Sequence, residues 1–104
     1  MPKSGNKPVV TFHRAASIEI IEASIWYDSK RRGLALEFIA EIDRCVSLAS
    51  EHPLQFSVVR EDIRRVLAKR FPYSVYFRAE QHRIIVLAVF HGRRDPAVWV
   101  ARTS

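Results

Sequence analysis

Residues 71–99 read FPYSVYFRAEQHRIIVLAVFHGRRDPAVW, and their pattern decides the fold. Phe71–Arg78 and Arg83–His91 are rich in β-branched and aromatic residues, which favour a pleated, half-buried backbone. Ala79-Glu80-Gln81-His82 is a short polar connection, so the two runs form an antiparallel hairpin. The IIVLAVF segment is apolar at both parities, the pattern of a central strand covered on both faces. Just upstream, Ile63–Lys69 reads as a further strand. Just downstream, the hairpin runs into a basic cluster, His91-Gly92-Arg93-Arg94, and Asp95-Pro96 then opens a turn. Ala97–Arg102 reads as a short helix or an extended tail.

Toward the N-terminus the period changes. Met1–Lys7 is polar, contains Pro and Gly, and reads as a flexible tail. Pro8–His13 has strand composition. From Ala15, the spacing of Ala15, Ile18, Ile21 and Ile25 lays an apolar stripe along one helix face. Glu19 and Glu22 near the start and Lys30, Arg31 and Arg32 at the end suit the helix dipole. Gly33 breaks this helix. Leu34, Phe38, Ile42, Cys45, Val46 and Ala49 mark the inner face of a second helix, and Pro53 stops it. The two helices form an antiparallel hairpin whose apolar stripes need a sheet to cover them. The element order is therefore β-α-α-β-β-β. The expected fold is α+β, with an N-terminal helical hairpin packed on one face of a mostly antiparallel four-stranded sheet. The first strand pairs after a helical crossover, so at least one pairing should be parallel.

At 104 residues the chain has the size of one domain, taken as residues 8–104 after the tail. Its single cysteine, Cys45, excludes an intramolecular disulfide framework and a cysteine-based zinc site, and fits a reducing compartment. No apolar run is long enough to span a bilayer, and MPKSGNKP lacks the apolar core of a secretory signal. A cytoplasmic location is expected. The four histidines show no metal-ligand spacing, so neither a metal nor a cofactor is expected. The net charge of +6 is one-sided. Residues 60–104 hold 10 Lys and Arg against 4 Asp and Glu, while residues 1–59 hold 7 of each. Such asymmetry suits an anionic partner: nucleic acid, a nucleoprotein machine, or an acidic protein segment.

With these elements in this order, the chain resembles the RelE/ParE toxins of bacterial toxin–antitoxin modules. Four stretches carry the likeness. They are the first helix with Ile25-Trp26-Tyr27, the helix end Glu51-His52-Pro53, the run from Arg64 through Lys69-Arg70-Phe71-Pro72-Tyr73 to Phe77, and Ile84–Arg102. The last of these contains His91-Gly92-Arg93-Arg94-Asp95-Pro96 and Trp99. The resemblance implies a small type II toxin neutralised by a cognate antitoxin. Two activities are known within the family. ParE-like members poison DNA gyrase by binding. RelE-like members enter the ribosome and cleave mRNA, which requires an acid, a base and cations on the scissile phosphate.

On the RelE-like pattern, Arg65 and Arg93 fall where phosphate-binding residues occur, and His91 is the acid–base candidate because imidazole titrates near neutrality. Two departures count against that chemistry. An arginine of the middle strand is replaced by Ser74. The C-terminal catalytic tyrosine aligns with Trp99, whose indole is a hydrogen-bond donor only. The gyrase-binding reading is therefore preferred, with the nuclease as its alternative. In either case Arg64, Arg65, Lys69, Arg70, Arg93 and Arg94 are the candidate anion- or target-binding residues. Alternation along one strand would send Arg64 and Arg70 to one face, Arg65 and Lys69 to the other. Trp26, Tyr27 and Trp99 are candidate partner contacts, since Trp and Tyr anchor interfaces. One member of the Trp26–Tyr27 pair could instead pack in the core while the other covers its edge.

Overall fold

The computed structural model describes residues 8–92. Strand β1 (Val9–Phe12) leads into α1 (Arg14–Lys30) and α2 (Leu34–Glu51), then a 3-10 turn at Pro53–Gln55. Four strands follow: β2 (Val58–Arg60), β3 (Ile63–Leu67), β4 (Tyr73–Glu80) and β5 (Arg83–His91). The sheet order is β1-β5-β4-β3-β2. The pairing of β1 with β5 is parallel and every other pairing is antiparallel. The sheet thus has five strands where the sequence led us to expect four. The extra one, β2, is three exposed residues with no alternating pattern to announce it. The anticipated tail at residues 1–7, the C-terminal helix or tail, Arg93, Arg94 and Trp99 lie outside the described residues.

The helical hairpin is fixed at its turn by chemistry local to the sequence. His13 Nδ1 accepts from Ala15 N–H at 3.1 Å and caps α1. Gly33 takes φ +90°, a left-handed conformation that a Cβ would strain. The Asp28 carboxylate then accepts from Gly33 N–H at 3.1 Å and Ala35 N–H at 3.0 Å. An anion is thereby set on the unpaired donors and positive dipole end of α2.

The α2 stripe reads as expected: Phe38, Ile42, Cys45, Val46 and Ala49 are all buried. The α1 stripe does not. Its buried residues are Ala16, Ala23 and Tyr27, with Ile20 packed against them, whereas Ile18, Ile21 and Ile25 are exposed. The helix carries 3–4 spacing on two opposite faces, and the face with small residues turns inward and lies on the sheet.

The apolar run in β5 is buried at both parities for a specific reason. Tyr76 pairs with Ala88, but the next residue, Phe77, pairs with Val86, so Leu87 is an extra residue. This β-bulge reverses the alternation. Ile84, Val86 and Val89 join the core beneath the helices, while Leu87, Ala88 and Phe90 join Ile63 and Tyr76 in a second cluster on the other face. Strand β1 stops opposite Val86, which leaves the next part of the β5 edge without a strand neighbour among the described residues. Glu19 from α1 fills one such position: its Oε1 accepts the Val89 N–H at 2.9 Å.

Candidate partner-binding groove

Two of the four described basic residues that the sequence offered for anion binding, Arg64 and Arg70, are occupied within the fold. The Arg64 guanidinium donates to the Phe56 carbonyl at 2.7 Å and ties the 3-10 turn to β3. Arg70 forms an ion pair with Glu37 at 2.6 Å, and Glu37 also receives Arg31 at 3.1 Å. Arg78 and Arg83 pair with Asp62 and Glu80. Because β3 ends at Leu67, the expected alternation does not extend to Lys69 and Arg70, which sit in the turn before β4. Among the described residues, no carboxylate lies within ion-pair distance of the Arg65 or Lys69 side chain.

Arg65 and Lys69 line one groove, Arg65 from its rim, because its side chain leaves β3 on the face turned away from the helices. It runs between α2, the 3-10 turn and the edge of β3, and encloses about 430 Å³. Leu48, Phe56, Val66 and Leu67 supply its apolar surface, and Arg44 adds a third cation. The groove exists because β2 is short: it pairs with β3 only at Ile63 and Arg64, with one further bond from Arg65 N–H to the Ser57 carbonyl. Beyond that point the β3 edge faces α2 across open space. Arg44, Leu48 and Phe56 were not anticipated, because nothing in the sequence fixes which helix flank meets which strand edge.

Two carboxylates one helical turn apart hold the basic end of this groove. Glu41 receives Arg44 Nη2 at 2.6 Å and Nε at 2.8 Å, and also the backbone N–H of Lys69 at 2.5 Å. Glu37 receives the next residue, Arg70, whose φ of +71° is unusual for a side-chain-bearing residue. The Arg44 guanidinium, with help from the Lys69 N–H, holds the Glu41 carboxyl down at about 2. Glu37 is lowered as well, chiefly by Arg70 and then Arg31. A carboxyl with a depressed native pKa favours folding above its unfolded value near 4.5 and loses that contribution as pH falls toward 2. The expected loss from Glu41 is about 1–2 kcal/mol, below full conversion because water screens the half-exposed Arg44. Urea unfolding at pH 6 and pH 3 measures it, and Glu41→Gln should make the difference smaller. Cys45, buried behind this pair, has its thiol pushed up to about 11 by burial and stays protonated.

The remaining candidates lie elsewhere. Tyr27 is 8% exposed and packs in an aromatic cluster with Phe38, Phe71 and Tyr73, at ring-centre distances of 5.0–6.1 Å. Of the Trp26–Tyr27 pair, Trp26 is the exposed member, with the Lys30 ammonium 4.9 Å above its ring. Trp26, Tyr27, Pro72, Tyr73 and His91 line a second cleft of about 380 Å³. His91 pairs with Tyr73, and their rings meet edge-on at 5.5 Å, on the helix side of the sheet. Arg65 pairs with Tyr76, whose side chain belongs to the cluster on the opposite face. The two are two strands and about three residues apart, roughly 10 Å in each direction. The structure does not bring Arg65 and His91 to one site. Ser74, where the nuclease pattern has an arginine, is 2% exposed.

This fold and groove can be set beside known proteins. The family model described as the ParE toxin of the type II toxin–antitoxin system parDE matches residues 10–96, most of the chain. The chain belongs to the ParE toxin family. Its structure is similar to a chain of the chromosomal ParDE toxin–antitoxin system from P. aeruginosa, with a TM-score of 0.72 and 18% identity. The match covers 83% of this chain and 97% of that one. No curated protein sequence matches. This ParE-family chain is therefore a type II toxin by family, and an antitoxin is its implied partner. Among its described residues, no helix is long and apolar enough to cross a membrane, and no cluster of His, Cys, Asp or Glu could hold a metal.

Proposed function

We propose that this ParE-family toxin inhibits growth by binding DNA gyrase, without cleaving RNA. In this reading an antitoxin silences it by laying an acidic, partly apolar segment in the α2–β3 groove. One observation carries the choice over an mRNA endoribonuclease acting on the ribosome: Arg65 and His91 stand on opposite faces of the sheet. Phosphodiester cleavage needs its acid–base group and its cation on the same phosphate. A protein that acts by binding needs only a surface. The exposed Trp26 with Lys30, on the helical hairpin, offers an aromatic and cationic anchor for the target, together with the basic C-terminal residues Arg93 and Arg94 and with Trp99.

Purified toxin should block supercoiling by gyrase, and its induction should give filamentous cells with an SOS response. His91→Ala should weaken growth inhibition by no more than about fivefold, where removal of a general acid–base costs about 10²–10⁴-fold. An immediate stop in translation, with codon-phased cuts in mRNA that disappear in His91→Ala, would instead establish the nuclease.

A further inference from the structure

The outer face of α1 carries a feature that the toxin reading does not use. Ile18, Ile21 and Ile25 are 44, 58 and 67% exposed. At 100° per residue they fall within about 60° of one another, roughly opposite Ala16, Ile20, Ala23 and Tyr27. They form a continuous apolar stripe facing solvent, the reverse of what a helix packed on a sheet normally presents. The stripe is bounded by exposed charges of opposite sign, Arg14 four residues before Ile18 and Asp28 three residues after Ile25.

We propose that this stripe is a self-association surface on which α1 packs antiparallel against α1 of a second copy, about a twofold axis at Ile21. The spacing fits that symmetry. A twofold at Ile21 puts Ile21 against itself and Arg14 level with Asp28 of the other copy, with Ile18 one residue, about 1.5 Å, short of level with Ile25 of the other copy. An isologous interface requires such a self-complementary patch. Charge argues against an acidic partner here, because Glu22 and Asp28 stand exposed on or beside this face. The cationic groove that suits an acidic partner lies between α2 and β3, so the surface for the second copy is distinct from it. One Asp28 oxygen caps α2, and the carboxylate remains exposed at the end of the stripe.

The patch is one helix wide, so association is weak and must be sought at high concentration. Sedimentation velocity on the full chain from about 5 to 500 μM should show monomers converting to dimers. Ile21→Glu, which sets two carboxylates against each other on the axis, should weaken the dimer at least about a hundredfold. Arg14→Asp should weaken it about two- to fivefold. Both positions are exposed, and an unchanged thermal melt at low concentration verifies that each variant folds. Ile21→Cys should form a covalent dimer under mild oxidation, since Cys45 is buried and does not compete. A chain that stays monomeric throughout with no Ile21→Cys cross-link overturns the proposal. So does a dimer indifferent to Ile21→Glu. So too does a monomeric chain whose antitoxin affinity, rather than self-association, falls in Ile21→Glu, which would give this face to a different partner.

Discussion

Phe38→Ala should cost about 3–5 kcal/mol, a large share of the stability of a domain this size. Phe38 has no exposed surface. Its ring meets Tyr27 of α1 at 5.2 Å, Phe71 before β4 at 5.4 Å and Tyr73 of β4 at 5.1 Å. It therefore joins both helices to the sheet at a single point. Its neighbours are rings held edge-on by one another, so they cannot collapse into the space without breaking contacts of their own. Leu36→Ala, two residues away on the same helix and 74% exposed, should change stability by less than about 0.5 kcal/mol. Urea denaturation of the two variants beside the parent measures both. Equal losses would mean that the aromatic cluster is not what couples the helices to the sheet.

The contrast between α1 and α2 shows what the sequence could and could not reveal. In α2, Phe38, Ile42, Cys45 and Val46 repeat on one face with Glu37, Glu41 and Arg44 off it, so periodicity identifies the buried stripe although Leu36 and Ile39 are exposed. In α1 two faces share the same spacing, one made of isoleucines and one of Ala16, Ile20, Ala23 and Tyr27. Weighing hydrophobicity favours the isoleucines, yet the alanines are what allow the helix to approach the sheet closely. The IIVLAVF run correctly signalled burial on both faces, but the bulge at Leu87 that delivers it depends on pairing with β4 and leaves no local mark. The same limit applies to the cations. Charge counting located the basic half of the chain. Only the fold shows that Arg64, Arg70, Arg78 and Arg83 are occupied by structural partners, and that Arg65 and Lys69 share a groove with Arg44 of the electrically neutral half.

That division of labour sets the second large effect. Arg65→Glu combined with Lys69→Gln should weaken antitoxin binding at least about a hundredfold, because an acidic segment would meet one reversed charge at the rim and one missing charge along a partly desolvated groove. Glutamine is the better choice at position 69. A carboxylate there would stand beside Glu41, which already accepts the backbone N–H of that residue. Arg32→Glu, a change of two charges against the double variant's three, at the exposed turn between the helices, should leave affinity within about threefold. Calorimetry at two salt concentrations separates the contributions: binding to the parent should weaken with salt more steeply than binding to the double variant. In cells, the double variant should remain toxic while escaping its antitoxin, since the surface assigned to gyrase lies around Trp26 and not along β3. If the double variant binds antitoxin as tightly as the parent, the groove is not where neutralisation occurs, and Arg65 and Lys69, which have no carboxylate partner among the described residues, have some other use.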